Sequence, residues 1–231
     1  SMGQIVSVCE EDRALTLELA PSAHVEVIPN GVDCIYFKPD RAPRASGRRL
    51  LFSGTASPLN MAALRRCIDR ILPLVRAAVP DVELVVAGNF GAAARATLER
   101  RRRVRFTGPM SDLRAEFNHS DVFIVPHERT HGSQMKVAVA MAMGMAIVSS
   151  PEGIRGLPLV DGDSVIVAPD DDTFGAGVAT LLLDAARRRH LGAAARRQAL
   201  EHLDWRVLGR RVGSLVERVA AAASATTDEG R

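Results

Sequence analysis

Short β-branched runs alternate along this chain with longer stretches of helical period, and that alternation argues for a parallel sheet with helices on both faces, a Rossmann-like α/β fold. Strands are expected at Ile5–Cys9, His24–Ile28, Arg49–Ser53, Glu83–Ala87, Val104–Thr107, Asp121–Val125, Ala146–Ser149 and Ser164–Val167. Helices are expected at Asn60–Val79, Ala92–Arg102, Ser111–Asn118, Ser133–Met143 and Asp172–Leu183. The first of these carries Leu64, Ile68, Ile71, Leu72 and Val75 close to one face, between Pro58 and Pro80. Pro29 to about Gly47 is rich in turn formers and arginine and reads as a connector. Beyond Asp172 the signal is nearly all helical; Trp205 opens the last helix after the cap Asp204, and the small, polar stretch from Ser224 should fray.

The 231 residues hold apolar material for a core of ordinary size. Charged residues make up 25% with both signs plentiful, so the formal +3 is a slight surplus of arginine and gives no reason to expect nucleic acid as a partner. Arg100, Arg101, Arg102, Arg103 and Arg105 cluster at an expected helix end, where solvation and dipole compensation explain them more readily than phosphate or membrane binding. Cys9, Cys34 and Cys67 have neither metal-site spacing nor an even count, which fits a reducing cytoplasm. No apolar run approaches the ~20 residues that span a bilayer, and the amino terminus lacks a secretory leader. Ser1-Met2 reads as an expression scar, so the natural beginning of the protein need not be in view.

In open parallel sheets ligands bind outside the carboxyl ends of the strands, so the loops after the strands are the candidate sites. Ser53-Gly54-Thr55-Ala56-Ser57 is built of small residues that let a ligand approach the backbone. Gly88-Asn89 and Gly108-Pro109-Met110 follow the next two strands. Pro126 leads through Arg129 and His131-Gly132-Ser133-Gln134 into a helix whose free amides suit an anion. Lys136 lies in the first turn of that helix, where a cation opposes the macrodipole unless an anion is present; the plainer alternative is an exposed lysine with no partner. There is no Gly-x-Gly-x-x-Gly opening a helix and no phosphate loop ending in Gly-Lys-Ser/Thr, which disfavours dinucleotide enzymes and NTPases. His127 and His131 share a short spacing but lack further ligands for a metal.

Taken together, these segments resemble the retaining family-4 glycosyltransferases of the B-type fold, especially the bacterial sugar transferases of exopolysaccharide gene clusters. Val25-Glu26-Val27-Ile28-Pro29-Asn30-Gly31-Val32-Asp33 with Phe37 and Pro39 resembles the interdomain segment of that family, and Leu51-Phe52-Ser53-Gly54 its first carboxyl-domain strand and loop. Val104-Arg105-Phe106-Thr107-Gly108 with Asp112-Leu113 resembles its nucleotide-base strand and loop. Lys136-Val137, Ala140-Met141-Ala142-Met143-Gly144 and Ile147-Val148 resemble its donor helix and the following strand. The resemblance implies one half of a two-domain enzyme, the half that holds a nucleoside-diphosphate sugar for hexosyl transfer to a glycan or lipid-linked acceptor in polysaccharide biosynthesis. It also implies that a metal is not required and that no cofactor is needed besides the donor.

On that basis residues 1–35 are the end of an amino domain and the interdomain segment, 36–204 the donor-binding domain, and 205–231 a crossover helix with a frayed tail. Gly54, Thr55, Gly108, Met110, Leu113, Arg129, His131, Gly132, Ser133, Gln134, Lys136 and Val139 are the donor-binding candidates. The sequence departs from the resemblance in two places. The paired glutamates that the family often carries eight residues apart fall here on His131 and Val139, where valine cannot accept a ribose hydrogen bond. The arginine and lysine that many members carry after the Gly54 loop are missing, with Pro58, Leu59 and Asn60 in that region. The expected partners are the nucleotide sugar, an amino-terminal acceptor domain and, for the intact enzyme, the inner face of the membrane. The first strand pair is expected to pack back on its own domain or to mediate a homodimer. A catalytically silent binding or assembly domain, or a nucleotide-sugar epimerase on the same architecture, are the competing readings.

Overall fold

The computed structural model describes residues 4–40, 48–101, 103–130 and 134–228, so His131, Gly132, Ser133 and Arg102 lie outside the described residues. Each strand expected from the sequence forms: β1 (Gln4–Ser7), β2 (His24–Val27), β3 (Arg49–Ser53), β4 (Glu83–Ala87), β5 (Val104–Gly108), β6 (Val122–Val125), β7 (Ala146–Ser149) and β8 (Ile166–Val167). Among the described residues, β1 and β2 make a small parallel pair, and the other six make one sheet in the order β5-β4-β3-β6-β7-β8. All its neighbours are parallel.

Period-2 alternation divides the core. Leu50, Phe52, Val122, Ile124, Ala146 and Val148 face one apolar layer, while Leu51, Phe123, Val125 and Ile147 face the other. The first layer is covered by α2 (Pro58–Arg66), α3 (Leu72–Ala78), α4 (Gly91–Leu98) and α7 (Asp171–Leu183), the second by α5 (Arg114–His119), α6 (Met135–Ala142) and α8 (Ala185–His202). Helices therefore lie on both faces of a Rossmann-like sheet, which is why its central strands are apolar almost throughout.

The long helix expected at Asn60–Val79 is instead two α-helices joined by a π-helical stretch, Cys67–Ile71, across which the Leu72 amide reaches back to the Cys67 carbonyl. Pro73 accounts for the interruption: it has no N–H to donate and its ring would crowd the carbonyl of a regular preceding turn. A helix not foreseen from periodicity, α1 (Glu10–Leu19), connects β1 to β2; none of its residues is buried, so it carries no apolar stripe to read.

The last helix, α9 (Trp205–Asp228), continues through Ser224, and the Asp204 carboxylate accepts from the Arg206 amide at 2.8 Å at its start. Leu208 and Leu215 of α9 pack with Ile28, and Arg218 pairs with Glu26, so the β1–β2 unit rests on this helix. Of the arginine cluster, Arg101 pairs with Asp69 at 3.0 Å and Arg105 with Glu116 at 2.8 Å.

Candidate functional site

The chain leaves β3 for β4 on one side of the sheet and, after β5, crosses back to place β6 on the other side of β3. The carboxyl ends of β3 and β6 thus flank the point where strand order reverses, the place where such sheets open a crevice. The loop after β3 is pressed against the loop after β4: the Gly54 amide donates to the Ala87 carbonyl at 3.0 Å, and a Cβ at Gly88 would stand 2.0 Å from the Gly54 oxygen. Only glycine permits that approach, and at φ +116° only glycine adopts the backbone without strain.

Three side chains from three elements converge in the crevice. Asn60 lies in the first turn of α2, whose start is fixed by Pro58 and by the Ser57 hydroxyl, which accepts from the Asn60 amide. Its amide nitrogen donates to the Thr55 carbonyl at 2.9 Å, which leaves its oxygen turned inward. Lys136, in the first turn of α6, places its ammonium 2.9 Å from that oxygen and 3.0 Å from Nε2 of His127, in the loop after β6. The His127 ring is buried and stacks on Phe52 of β3, with centroids 5.7 Å apart and planes within 7°.

This cluster has an unusual charge balance. Burial, with a contribution from the Lys136 charge, pushes the His127 pKa down to about 3, so the imidazole is neutral. A neutral ring that accepts from Lys136 at Nε2 carries its proton on Nδ1, a buried atom with no hydrogen-bond partner. Burial alone pushes the Lys136 pKa down to about 8. Among the described residues no carboxylate forms an ion pair with it, and the first turn of α6 holds no acidic residue. A half-buried cation therefore sits at the positive end of a helix with only neutral partners, an arrangement that an anion would relieve.

Two cavities meet at Lys136. One, of about 300 Å³, is bounded by Gly54, Thr55, Asn60, His127, Arg129, Gln134 and Lys136. The other, of about 190 Å³, is more apolar and is bounded by Tyr36, Phe37, Met110, Leu113, Phe117, Lys136 and Val139, with Ser53, Ser111 and Asp112 supplying polar atoms. A basic polar chamber opening beside an aromatic and apolar one matches a ligand with phosphates at one end and a ring system at the other.

The sequence comparisons decide the family. Residues 47–184 match the family described as glycosyl transferases group 1. The chain belongs to this family. Among the group 1 relatives, the GDP-mannose-dependent alpha-(1-6)-phosphatidylinositol monomannoside mannosyltransferase of Mycolicibacterium smegmatis is 31% identical over 222 residues, covering 85% of this chain and 57% of that protein. The phosphatidyl-myo-inositol mannosyltransferase of the same organism is 29% identical over 228 residues, covering 94% of this chain and 58% of the relative. The chain thus spans little more than half the length of these relatives. Among solved structures, sucrose-phosphate synthase from Thermosynechococcus elongatus superposes with a TM-score of 0.74 at 21% identity, over 95% of this chain and 59% of that one. Anabaena HepE in complex with UDP and glucose superposes with a TM-score of 0.71 at 14% identity, over 93% of this chain and 63% of that one. The fold is that of one half of the B-type glycosyltransferases.

Of the residues expected from the sequence, the structure gathers Gly54, Thr55, Arg129, Gln134 and Lys136 around the basic cavity, and Met110, Leu113 and Val139 around the apolar one. Gly108 lines a separate cavity of about 220 Å³ with Gly88, Phe90 and Arg95. His131, Gly132 and Ser133 lie outside the described residues, and the helix expected from Ser133 begins at Met135, after Gln134. Asn60, the imidazole of His127 as partner to Lys136, and Tyr36 were not among the expected donor-binding residues. Asn60 follows the capping serine by three residues, a position that faces the preceding loop, and this is the local signal that could have found it. Among the described residues no group of three His, Cys, Asp or Glu side chains could hold a metal ion, and no helix is long and apolar enough to cross a membrane.

Proposed function

We propose that this chain binds a nucleoside-diphosphate hexose, with the diphosphate in the cavity beside Lys136 and the nucleoside in the apolar cavity beyond it. The observation that carries this reading is the Lys136 ammonium, half-buried, without a carboxylate partner among the described residues, and placed where the two cavities join. Arg129 and the first turn of α6 add positive potential on the same side. Because the monomannoside mannosyltransferase of Mycolicibacterium smegmatis is GDP-mannose-dependent by name, GDP-mannose is the first donor to test.

In the whole protein the reading is a glycosyltransferase that moves a hexosyl group to a glycan or lipid-linked acceptor bound by an amino-terminal domain. Lys136 would there stabilise the negative charge that develops on the departing nucleoside diphosphate. The greater length of the relatives supports a further domain, and the phosphatidylinositol acceptors in their names support work at a membrane surface. The test is calorimetric titration of this chain with GDP, GDP-mannose, UDP and UDP-glucose. Saturable binding of at least one pair is expected, and no binding at about 1 mM, a standard free energy weaker than about 4 kcal/mol, would refute the reading.

A further inference from the structure

The loop after β6, residues 126–130, carries two walls of the basic cavity, His127 and Arg129. It faces α2 across a further cavity of about 190 Å³, where the helix presents the small side chains of Ala62 and Ala63. Apolar packing does not fix the spacing between helix and loop at that place, because small side chains leave a gap that neither side fills. A charged group crosses it instead. Arg66, at the end of α2, is buried, and its Nη1 donates to the Pro126 carbonyl at 3.2 Å. Its Nε donates to Oδ1 of Asp171, at the start of α7, at 2.6 Å and lies 3.5 Å from the Glu128 carboxylate of the loop itself.

Other anchors hold the loop from the opposite side. The Ser150 hydroxyl, just beyond β7, donates to the His127 carbonyl, and the Thr130 hydroxyl donates to the Glu152 carbonyl at 3.0 Å. Arg66 ties the loop to α2, the helix that also supplies Asn60. That link matters because the Asn60, His127 and Lys136 cluster spans both elements, with contacts of 2.9 to 3.0 Å that a relative shift of about 1 Å would break. A buried guanidinium is costly unless its donors are engaged, and its planar fork reaches a carbonyl and a carboxylate at once in a fixed geometry. Arg66 lines neither of the cavities that meet at Lys136, so it acts on them through the loop.

Resting on the nucleoside-diphosphate reading above, we infer that Arg66 is a positioning residue for the donor. By holding the loop after β6 against α2, it keeps His127 on Lys136 and keeps the ammonium buried among neutral partners.

The titration of Lys136 reads this placement without any ligand. Lys136 faces His127 and Asn60, Arg129 and Asp112 line the cavities around it, and burial holds its pKa down at about 8. Lys38, which is exposed, is the other lysine of the chain, so labelling with [13C]lysine reports Lys136 by NMR against a single reference. In Arg66→Met the loop loses its tie to α2, while Asp171 keeps its pair with Arg70 and no carboxylate is stranded. Lys136 is then expected to titrate above about 9, and GDP to bind about tenfold more weakly at pH 7 by calorimetry. Arg66→Lys keeps the charge and loses the fork, so the same rise in that variant shows that placement, and not the loss of a charge, moved Lys136. A purely structural role for Arg66 would lower the melting temperature and leave Lys136 at about 8 in the folded protein. That result, or GDP affinity within about twofold of the parent, would overturn the inference. Should Arg66→Met fail to fold, Arg66→Lys is held to the same two readouts. If the unaltered chain binds neither GDP nor UDP, the nucleoside-diphosphate reading falls, and the titration of Lys136 still decides whether Arg66 sets its surroundings.

Discussion

Replacing Lys136 with methionine should make the unliganded protein more stable while it weakens the binding of nucleoside diphosphates. Methionine retains most of the aliphatic stem and removes the charge. The cost of that charge follows from its pKa: lowering the ammonium from 10.5 to about 8 corresponds to ~3 kcal/mol against the charged form, an upper bound because the side chain keeps some contact with solvent. The partners left behind can satisfy each other, since the His127 ring can shift its proton to Nε2 and donate to Asn60 Oδ1, 2.9 Å away. A net gain of ~1–2 kcal/mol at pH 7 is therefore expected in urea or thermal unfolding. The sign of the pH dependence is also fixed. The folded state binds fewer protons than the unfolded one between about pH 8 and 10.5, so the stability of the unaltered chain climbs across that window and the advantage of the variant disappears. Loss of a charge-assisted contact to phosphate should weaken GDP binding by ~1.5–3 kcal/mol, on the order of ten- to a hundredfold. A variant less stable than the parent at pH 7, a stability difference constant to pH 10, or an unchanged GDP affinity would each refute the reasoning that Lys136 is an unpaired cation awaiting an anion.

Two further outcomes test the frame that holds the site. Gly88→Ala would drive a Cβ into the Gly54 carbonyl, 2.0 Å away, at a backbone φ of +116°, so it should separate the loops after β3 and β4. The melting temperature should fall by ~5–10 °C, the consequence of ~2–3 kcal/mol, together with a loss of GDP binding; an alanine variant that melts like the parent would show that these loops are not in contact. Asp204→Ala removes the cap of α9 and should cost ~1 kcal/mol near neutral pH, discounted because its partner Arg206 is exposed. The Arg206 hydrogen bond, first among several causes, holds the Asp204 carboxyl down at about 2, so its contribution is full above the unfolded pKa near 3.8 and is lost as pH falls through about 2. Equal acid unfolding of parent and variant would contradict that assignment.

The sequence by itself determined the sheet, because burial on both faces forces near-continuous apolar runs such as Leu50–Phe52, Val122–Val125 and Ala146–Val148, and such runs are visible without any partner. It also marked the loops after the strands, since Gly54, Gly88 and the approach to Lys136 are small or turn-forming residues at fixed places in the alternation. Helix α1 was not foreseen because none of its residues is fully buried, and the break at Cys67–Ile71 was hidden because apolar spacing continues through a π-helical stretch while the hydrogen bonds change register. What only the tertiary structure decided is the company each side chain keeps. Asn60, His127 and Lys136 are separated by 67 and 9 positions in the chain and come within 3.0 Å only because β6 returns to the side of β3. An isolated lysine codon says nothing about a counter-ion. Its meaning here comes from burial, a helix end and the absence of a carboxylate partner among the described residues, all of which are properties of the packed sheet and not of any local stretch of sequence.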